Sequence, residues 1–124
     1  MELINKLNEC AAFLESIGES CLHRKMRNLV AGAFDPVEET YRIDSAFIEE
    51  IDSWSRGTIG SISDFCICHQ YYPAIPEDQE DQYEARWYSL WGSLSSVAHE
   101  IKRRISASVE LAEAIDGIRS ELEK

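Results

Sequence analysis

Apolar side chains recur along most of this chain at intervals of three and four residues, the spacing of an amphipathic helix. The first predicted helix is closed by Gly18, a suitable C-terminal cap, and its apolar stripe consists of Leu3, Leu7, Cys10, Leu14 and Ile17. A second helix is predicted from about Ser20 to Ala31, with Leu22, Met26, Leu29 and Val30 on one side. Its outer side carries a basic cluster of His23, Arg24, Lys25 and Arg27.

Two further helix starts follow Gly32. Asp35 is a good N-cap, Pro36 suits a first helical turn and Glu38 completes a capping box, so a short helix is predicted to run to about Arg42. Asp44 or Ser45 then begins another helix, which Gly57 ends. Its inward side chains are predicted to be Phe47, Ile48, Ile51 and Trp54, with Glu49, Glu50 and Asp52 toward solvent.

Residues 57–76 form the least regular part of the sequence. Gly57, Gly60 and Asp64 favour turns, and the stretch from Phe65 to Cys68 is predicted to be a short extended piece. About twenty residues without regular structure are unusual inside a compact domain, and such stretches are often functional.

The strongest helical pattern begins after Pro76. Acidic residues fill its first turns, where negative charge favours a helix start, and one apolar face then extends to Ile105. A break is predicted at Ser106–Ser108, followed by a last helix with Leu111, Ile115, Ile118 and Leu122. The prediction is therefore one all-α domain over residues 1–124, an irregular bundle of four to five helices with an irregular or extended segment near residues 57–76.

Composition narrows the possible partners. The chain has 124 residues, 44% of them hydrophobic, which is enough for one packed core. Its net charge of −11 repels nucleic acid and anionic membrane surfaces, so neither is an expected partner, and it attracts basic proteins. With no signal-like start and no apolar run of about twenty residues, we expect a cytoplasmic protein. Its four cysteines are expected to be reduced core residues: Cys10, Cys21, Cys66 and Cys68.

No motif for catalysis is present. Cys66, Cys68 and His69 invite a metal interpretation, but the second ligand pair of a structural zinc site is absent. His23 and His99 fall on polar sides of helices and accompany no recognisable nucleophile motif. We therefore expect neither an enzyme nor a bound metal or cofactor, and a small metal-binding helical protein is kept only as an alternative.

The candidate site is the acidic run that begins the last helical region. Five of the eight residues from Glu77 to Glu84 are acidic, and aromatic residues lie within and just after that run. Such a surface suits a basic partner, because aromatics provide anchoring area and carboxylates steer the encounter. The alternative is a solvated helix start whose aromatics belong to the core. The residues predicted to bind a partner are Glu77, Asp78, Glu80, Asp81, Tyr83 and Glu84.

The segment Gly57–Phe65 resembles one found in small bacterial proteins, whose form is Gly-Gly-Met-Gly-Ser-x-Asn-Asp followed by an apolar residue. The segment keeps Gly57, Gly60, Ser61 and Asp64, and it departs at Thr58, Ile59 and Ser63. Some of those proteins resemble immunity proteins encoded beside antibacterial toxins. The resemblance implies a neutralising binder of a cognate toxin, which the charge suggests is a basic nuclease.

Two other interpretations stay open at this point. A nucleic-acid mimic of phage type that inhibits a host nuclease would share the same electrostatics. A homodimer is also possible, because the last helix, with Leu111, Ile115, Ile118 and Leu122, could pair with a copy of itself.

Overall fold

A computed structural model describes residues 2–54 and 66–123, and this part of the chain is all-α apart from one small hairpin. Its elements in chain order are α1 (Glu2–Ser16), α2 (Cys21–Ala33), β1 (Phe34–Asp35), β2 (Thr40–Tyr41), α3 (Ser45–Ser53), a 3-10 turn (Glu77–Gln79) and α4 (Glu80–Leu122). The predicted fold class is confirmed.

Helix α1 is the centre of the core and packs against α2 and α4, while α3 packs against α4. Its predicted apolar stripe is buried, and the predicted inward residues of α3 are buried as well. Ile67 and Ile75 from the irregular segment also belong to the core. These two side chains anchor that segment beside the start of α4.

The turn between α1 and α2 is built from two local features. Gly18 ends the first helical run with φ +84°, a conformation that glycine adopts without steric cost, as the sequence predicted. The buried carboxylate of Glu19 then accepts hydrogen bonds from the backbone N–H groups of Cys21, Leu22 and His23 at 2.8, 3.0 and 3.0 Å. The side chain of Glu19 therefore caps α2, whereas that of Ser20 makes no capping bond.

The predicted short helix from Asp35 to Arg42 is wrong. Asp35 does accept hydrogen bonds from the N–H groups of Val37 and Glu38, at 2.9 and 3.3 Å. The chain nevertheless reverses through Glu39, at φ 55°, and β1 pairs antiparallel with β2, with Phe34 opposite Tyr41. An Asp that bonds the amides two and three residues ahead can begin either a helix or a turn, so this local signal does not distinguish them.

The predicted break at Ser106–Ser108 is also wrong. Helix α4 runs without interruption for 43 residues, about 65 Å at ~1.5 Å per residue. Alanine and serine do not interrupt the backbone hydrogen bonds of a helix as proline does, so the sequence there permits continuation.

The irregular segment is confirmed for residues 66–76, which contain bends and turns but no helix or strand. Its first part, residues 57–65, lies outside the described residues, as does the predicted helix end at Gly57. No helix within residues 2–54 and 66–123 combines the length and the apolar character that crossing a lipid bilayer requires.

Candidate functional site

Four of the predicted binding residues share one side of the chain where α4 begins. Glu77 lies in the 3-10 turn, and Glu80, Asp81 and Glu84 lie in the first turns of α4. Their spacing of three or four residues aligns them along the helix, and Tyr88 continues the line one turn further. We call Glu77, Glu80, Asp81 and Glu84 the acidic strip. Except for the half-buried Glu80, its members are exposed to solvent.

Hydrogen bonds from the irregular segment fix this region. The backbone N–H of His69 donates to Oε1 of Glu80 at 2.8 Å. Nδ1 of His69 lies 2.8 Å from the carbonyl oxygen of Ile75, which can only accept, so the ring proton is on Nδ1. Nε2 then lies 3.6 Å from Oε1 of Glu77. The carboxylate of Glu80 therefore holds the segment in place, while Asp81 and Glu84 remain available.

A shallow concavity of about 280 Å³ lies beside the acidic strip. Its acidic wall is formed by Glu80, Asp81 and Glu84, and the rest of its lining by Cys66, Ile67, Cys68, Trp87 and Tyr88. Tyr88 is 60% exposed, unlike its neighbour Trp87, which is buried. A partner side chain can thus meet carboxylates and one aromatic face together. Tyr88 was not among the predicted contact residues. Its position four residues after Glu84 places it on the same side of α4 as the acidic strip, and the sequence alone could have shown this.

The prediction that all four cysteines are core residues holds only for Cys10. Cys66 and Cys21 are exposed, and Cys68 is half-buried. The thiols of Cys66 and Cys68 lie 3.3 Å apart, so they do share a side, but it borders the concavity and not the core. The hydrogen bond to Cys68 raises the pKa of the Cys66 thiol, and the carboxylates of Glu84 and Glu80 raise it further. A raised pKa keeps the thiol protonated at neutral pH and lowers its reactivity.

Tyr83 is separated from the rest of the predicted site. Its half-buried ring packs against Phe13, with the ring centroids 6.1 Å apart, on the side of α4 that faces α1. There it lines a groove of about 670 Å³ together with Glu9, Ala12, Phe13, Ser16, Gln82, Arg86 and Leu90. Asp78 is exposed in the 3-10 turn but does not line the concavity. Tyr83 is thus part of the α1–α4 packing and not of the acidic strip.

The second acidic cluster, on α3, has a cationic partner within the fold. Nζ of Lys102 lies 2.7 Å from Oδ2 of Asp52 and 4.0 Å from Oε1 of Glu49. Further along, Arg103 and Arg104 both contact the carboxylate of Glu100, at 2.7 and 3.2 Å. The hydrogen bond from Arg103 is the main reason that the pKa of Glu100 is lowered.

Within residues 2–54 and 66–123, the acidic strip has no such partner. Among the residues that the structure describes, no lysine or arginine forms an ion pair with any of its four carboxylates, and the imidazole of His69 approaches one of them, that of Glu77. In the basic cluster of α2, Arg27 contacts Glu15 at 3.5 Å and the side-chain oxygen of Asn8 at 3.2 Å. The strip therefore keeps its negative charge exposed.

A metal site at Cys66, Cys68 and His69 would require these side chains to converge on one point. No group of three or more His, Cys, Asp or Glu side chains within residues 2–54 and 66–123 is arranged to hold a metal ion. Of the other histidines, His99 is exposed as expected, whereas His23 is half-buried and not fully on the polar side of α2.

Comparison of the chain with protein families, with curated proteins and with solved structures gives no match.

Proposed function

We propose that this chain is a non-enzymatic binding protein that recognises a basic protein through the acidic strip and the exposed ring of Tyr88. The observation that carries this proposal is the contrast between two acidic clusters on one fold. Lys102 forms an ion pair with Asp52 and approaches Glu49, while the acidic strip has no lysine or arginine partner in the described part of the chain.

Keeping like charges together in the acidic strip costs free energy. Carboxylates at successive turns of one helix repel each other by a few tenths of a kcal/mol per pair. Part of that cost is offset because they lie at the positive end of the helix dipole. A basic partner removes the remaining repulsion on binding, and its association is accelerated by the field of the strip.

The proposed partner class is a bacterial toxin, and the chain would act as its cytoplasmic immunity protein. Support for this step comes from the resemblance of Gly57–Phe65 to small bacterial proteins, and from the electrostatic fit between an acidic binder and a basic nuclease. Covering a basic substrate-binding surface would exclude the phosphate backbone from that surface, so binding alone would neutralise such a toxin.

The experiment is coexpression of the full chain with the toxin encoded beside its gene, followed by measurement of the association rate with the purified toxin. We expect rescue of growth and a stable complex, with an association rate that falls as salt concentration rises. Reversing two charges of the strip, with Asp81→Lys and Glu84→Lys together, should lower the association rate about tenfold or more and restore toxicity.

The matched control reverses two exposed acids in the turn between β1 and β2, with Glu38→Lys and Glu39→Lys together. This variant changes the net charge equally and should keep most of the association rate. Equal losses for the two double variants would mean that only net charge matters and would refute the strip as the site. Failure of the unmodified chain to bind or to rescue growth would refute the immunity role itself.

A further inference from the structure

The distal part of α4 projects away from the core. From Ser106 to Glu123 every side chain is exposed, and residues 106–122 extend the helix by about 25 Å at ~1.5 Å per residue. Isolated helices of this length are marginal in water, since most helical stability comes from packing of an apolar face. A projecting helix is therefore a candidate for a tertiary or quaternary contact.

Four large aliphatic side chains form a narrow stripe on this projection. We call it the distal stripe: Leu111, Ile115, Ile118 and Leu122, with exposed fractions of 63, 43, 60 and 80%. Their four-three-four spacing keeps them within one side of the helix, as in the seam of a coiled coil. Single exposed aliphatic residues are ordinary, but a contiguous row of them marks an interaction surface.

The distal stripe continues the face that buries α4 in the core. Residues that are seven apart in a helix lie almost above one another, with a shift of about 20° per heptad. One such line along α4 consists of Trp87, Leu94, Ile101, Ser108, Ile115 and Leu122. Trp87 and Leu94 are buried by the core, whereas Ile115 and Leu122 are exposed. The repeat therefore extends past the end of the core, as expected if another helix takes over the packing there.

We propose that the projecting part of α4 packs against the same part of a second copy of this chain, the two helices running antiparallel. With the twofold axis near Glu113, Leu111 lies opposite Ile115 of the second copy, at the centre of the interface. Towards the ends, Ile118 lies opposite Ser108 of the second copy and Leu122 opposite its Arg104. This register overlaps residues 104–122 of both chains and leaves the two cores at opposite ends of the pair. The paired residues beyond Ile105 are all exposed in the single chain, so no core residue covers them.

Charge complementarity favours the antiparallel direction. From Glu110 to Glu123 there are five acidic residues and one basic residue, whereas Lys102, Arg103 and Arg104 make the proximal end of the projection basic. Arg103 and Arg104 share one carboxylate, that of Glu100, so the two guanidinium groups are not fully neutralised. Antiparallel pairing sets this basic end against the acidic tip of the second copy, while parallel pairing in register would set Arg104 against Arg104.

Small residues beside the stripe allow the helices to approach closely. Ala112 and Ala114 flank the distal stripe at its centre, on either side of the proposed twofold axis, and Ala107 flanks it further back. Alanine at such positions permits a shorter interaxial distance and more contact per residue than longer side chains do. We therefore infer that the projecting part of α4 binds a second copy of the chain. The distal stripe, the alanines beside it and the opposed charges all support this partner.

The test is sedimentation equilibrium of the full chain over a wide range of protein concentrations. We expect a reversible dimer of twice 14.2 kDa. Ile115→Glu should raise the dissociation constant about tenfold or more, because it places a charge in the centre of the interface. Val109→Glu is the matched control: it introduces the same charge at an exposed aliphatic residue on the other side of the helix, and it should leave the dimer intact. A chain that stays monomeric at every concentration would overturn the proposal.

A charge swap tests the direction. Arg104→Glu alone and Glu121→Arg alone should each weaken the dimer, and the double variant should recover most of the affinity if the basic end of one helix meets the tip of the other. Additive losses in the double variant would exclude the antiparallel register. Because these residues do not touch the core, helix content and thermal stability of the monomer provide the check that each variant is folded.

Discussion

The indole of Trp87 stacks on the phenyl ring of Phe13, with the ring centroids 5.8 Å apart and the ring planes inclined by 18°. The ring of Trp91 also stacks with that of Trp87, with the centroids 6.2 Å apart. The contact joins α4 to α1, and both Trp87 and Phe13 are buried. This contact attaches α4 to the core at a point between its two exposed surfaces. The acidic strip lies before Trp87 in the chain, and the projecting part of α4 lies after it.

Replacing the central ring of this stack should strongly destabilise the fold. We expect Trp87→Ala to lower the free energy of unfolding by about 3–5 kcal/mol, because it removes a large buried side chain and leaves a cavity. Urea denaturation followed by circular dichroism measures the change. Tyr88→Ala is the control on the adjacent, exposed residue and should change the free energy by less than about 0.5 kcal/mol. Similar losses for both variants would contradict the assignment of Trp87 to the core.

The cap formed by Glu19 provides a second prediction. Glu19→Ala removes the acceptor for three backbone N–H groups at the start of α2, and it should cost about 1–3 kcal/mol of unfolding free energy. Glu19→Gln keeps one side-chain oxygen and should lose less. Ser20→Ala should have little effect, since the Ser20 side chain makes no capping bond. A larger loss at Ser20 than at Glu19 in thermal denaturation would show that the cap is misassigned.

The buried thiol of Cys10 predicts a dependence of stability on alkaline pH. Burial raises the pKa of Cys10 from 9.0 to about 12. Between those values the unfolded chain loses the thiol proton while the folded chain retains it, so the free energy of unfolding falls with rising pH by about 1.4 kcal/mol per pH unit. Below pH 9 this contribution to stability is fully present.

Cys10→Ala should therefore flatten the alkaline decline relative to the unmodified chain, although it also lowers stability at neutral pH by leaving a small cavity. Urea titrations at pH 8 and at pH 10 for both proteins measure the difference. Cys21→Ala, at an exposed thiol, is the control and should keep the slope of the unmodified chain. An unchanged slope in Cys10→Ala would show that the thiol ionises equally in both states.

The ion pair between Lys102 and Asp52 predicts a small coupling between α4 and α3. Both side chains are partly exposed, so solvent and salt weaken their attraction. A double-mutant cycle with Lys102→Met and Asp52→Asn should give a coupling energy of about 0.2–1 kcal/mol that decreases in high salt. A coupling energy of zero at low salt would mean that the contact is not maintained in solution.

Local sequence patterns predicted the helices correctly where the pattern is compatible with only one structure. The apolar spacing of α1 requires a buried stripe, and Gly18 at positive φ ends it as expected. Asp44 caps α3 by accepting a hydrogen bond from the N–H of Phe47 at 2.9 Å. These features are local, because the residues that determine them lie within one or two helical turns.

The predictions were wrong where the local sequence is compatible with two different structures. Asp35 bonds the following amides in a turn much as it would in a helix, and the pairing of Phe34 with Tyr41 decides in favour of a hairpin. At Ser106–Ser108 the sequence neither breaks nor requires a helix, and the prediction of a break rested on the usual length of helices. The exposed positions of Cys66 and Cys68 depend on how residues 66–76 lie against α4, which no local pattern encodes.

By itself, the sequence determined the helical class, the acidic balance and the location of the carboxylates from Glu77 to Glu84, because periodicity and charge are properties of neighbouring residues. Only the tertiary structure decided which carboxylates are neutralised. Lys102 reaches Asp52 across fifty residues of chain, Glu80 is engaged by the backbone of His69, and Asp81 and Glu84 stay exposed. Coulomb interactions depend on distance in space. The fold sets those distances when it packs the apolar faces of the helices together. The apolar pattern of the sequence does not show which charged residues that packing brings close to each other.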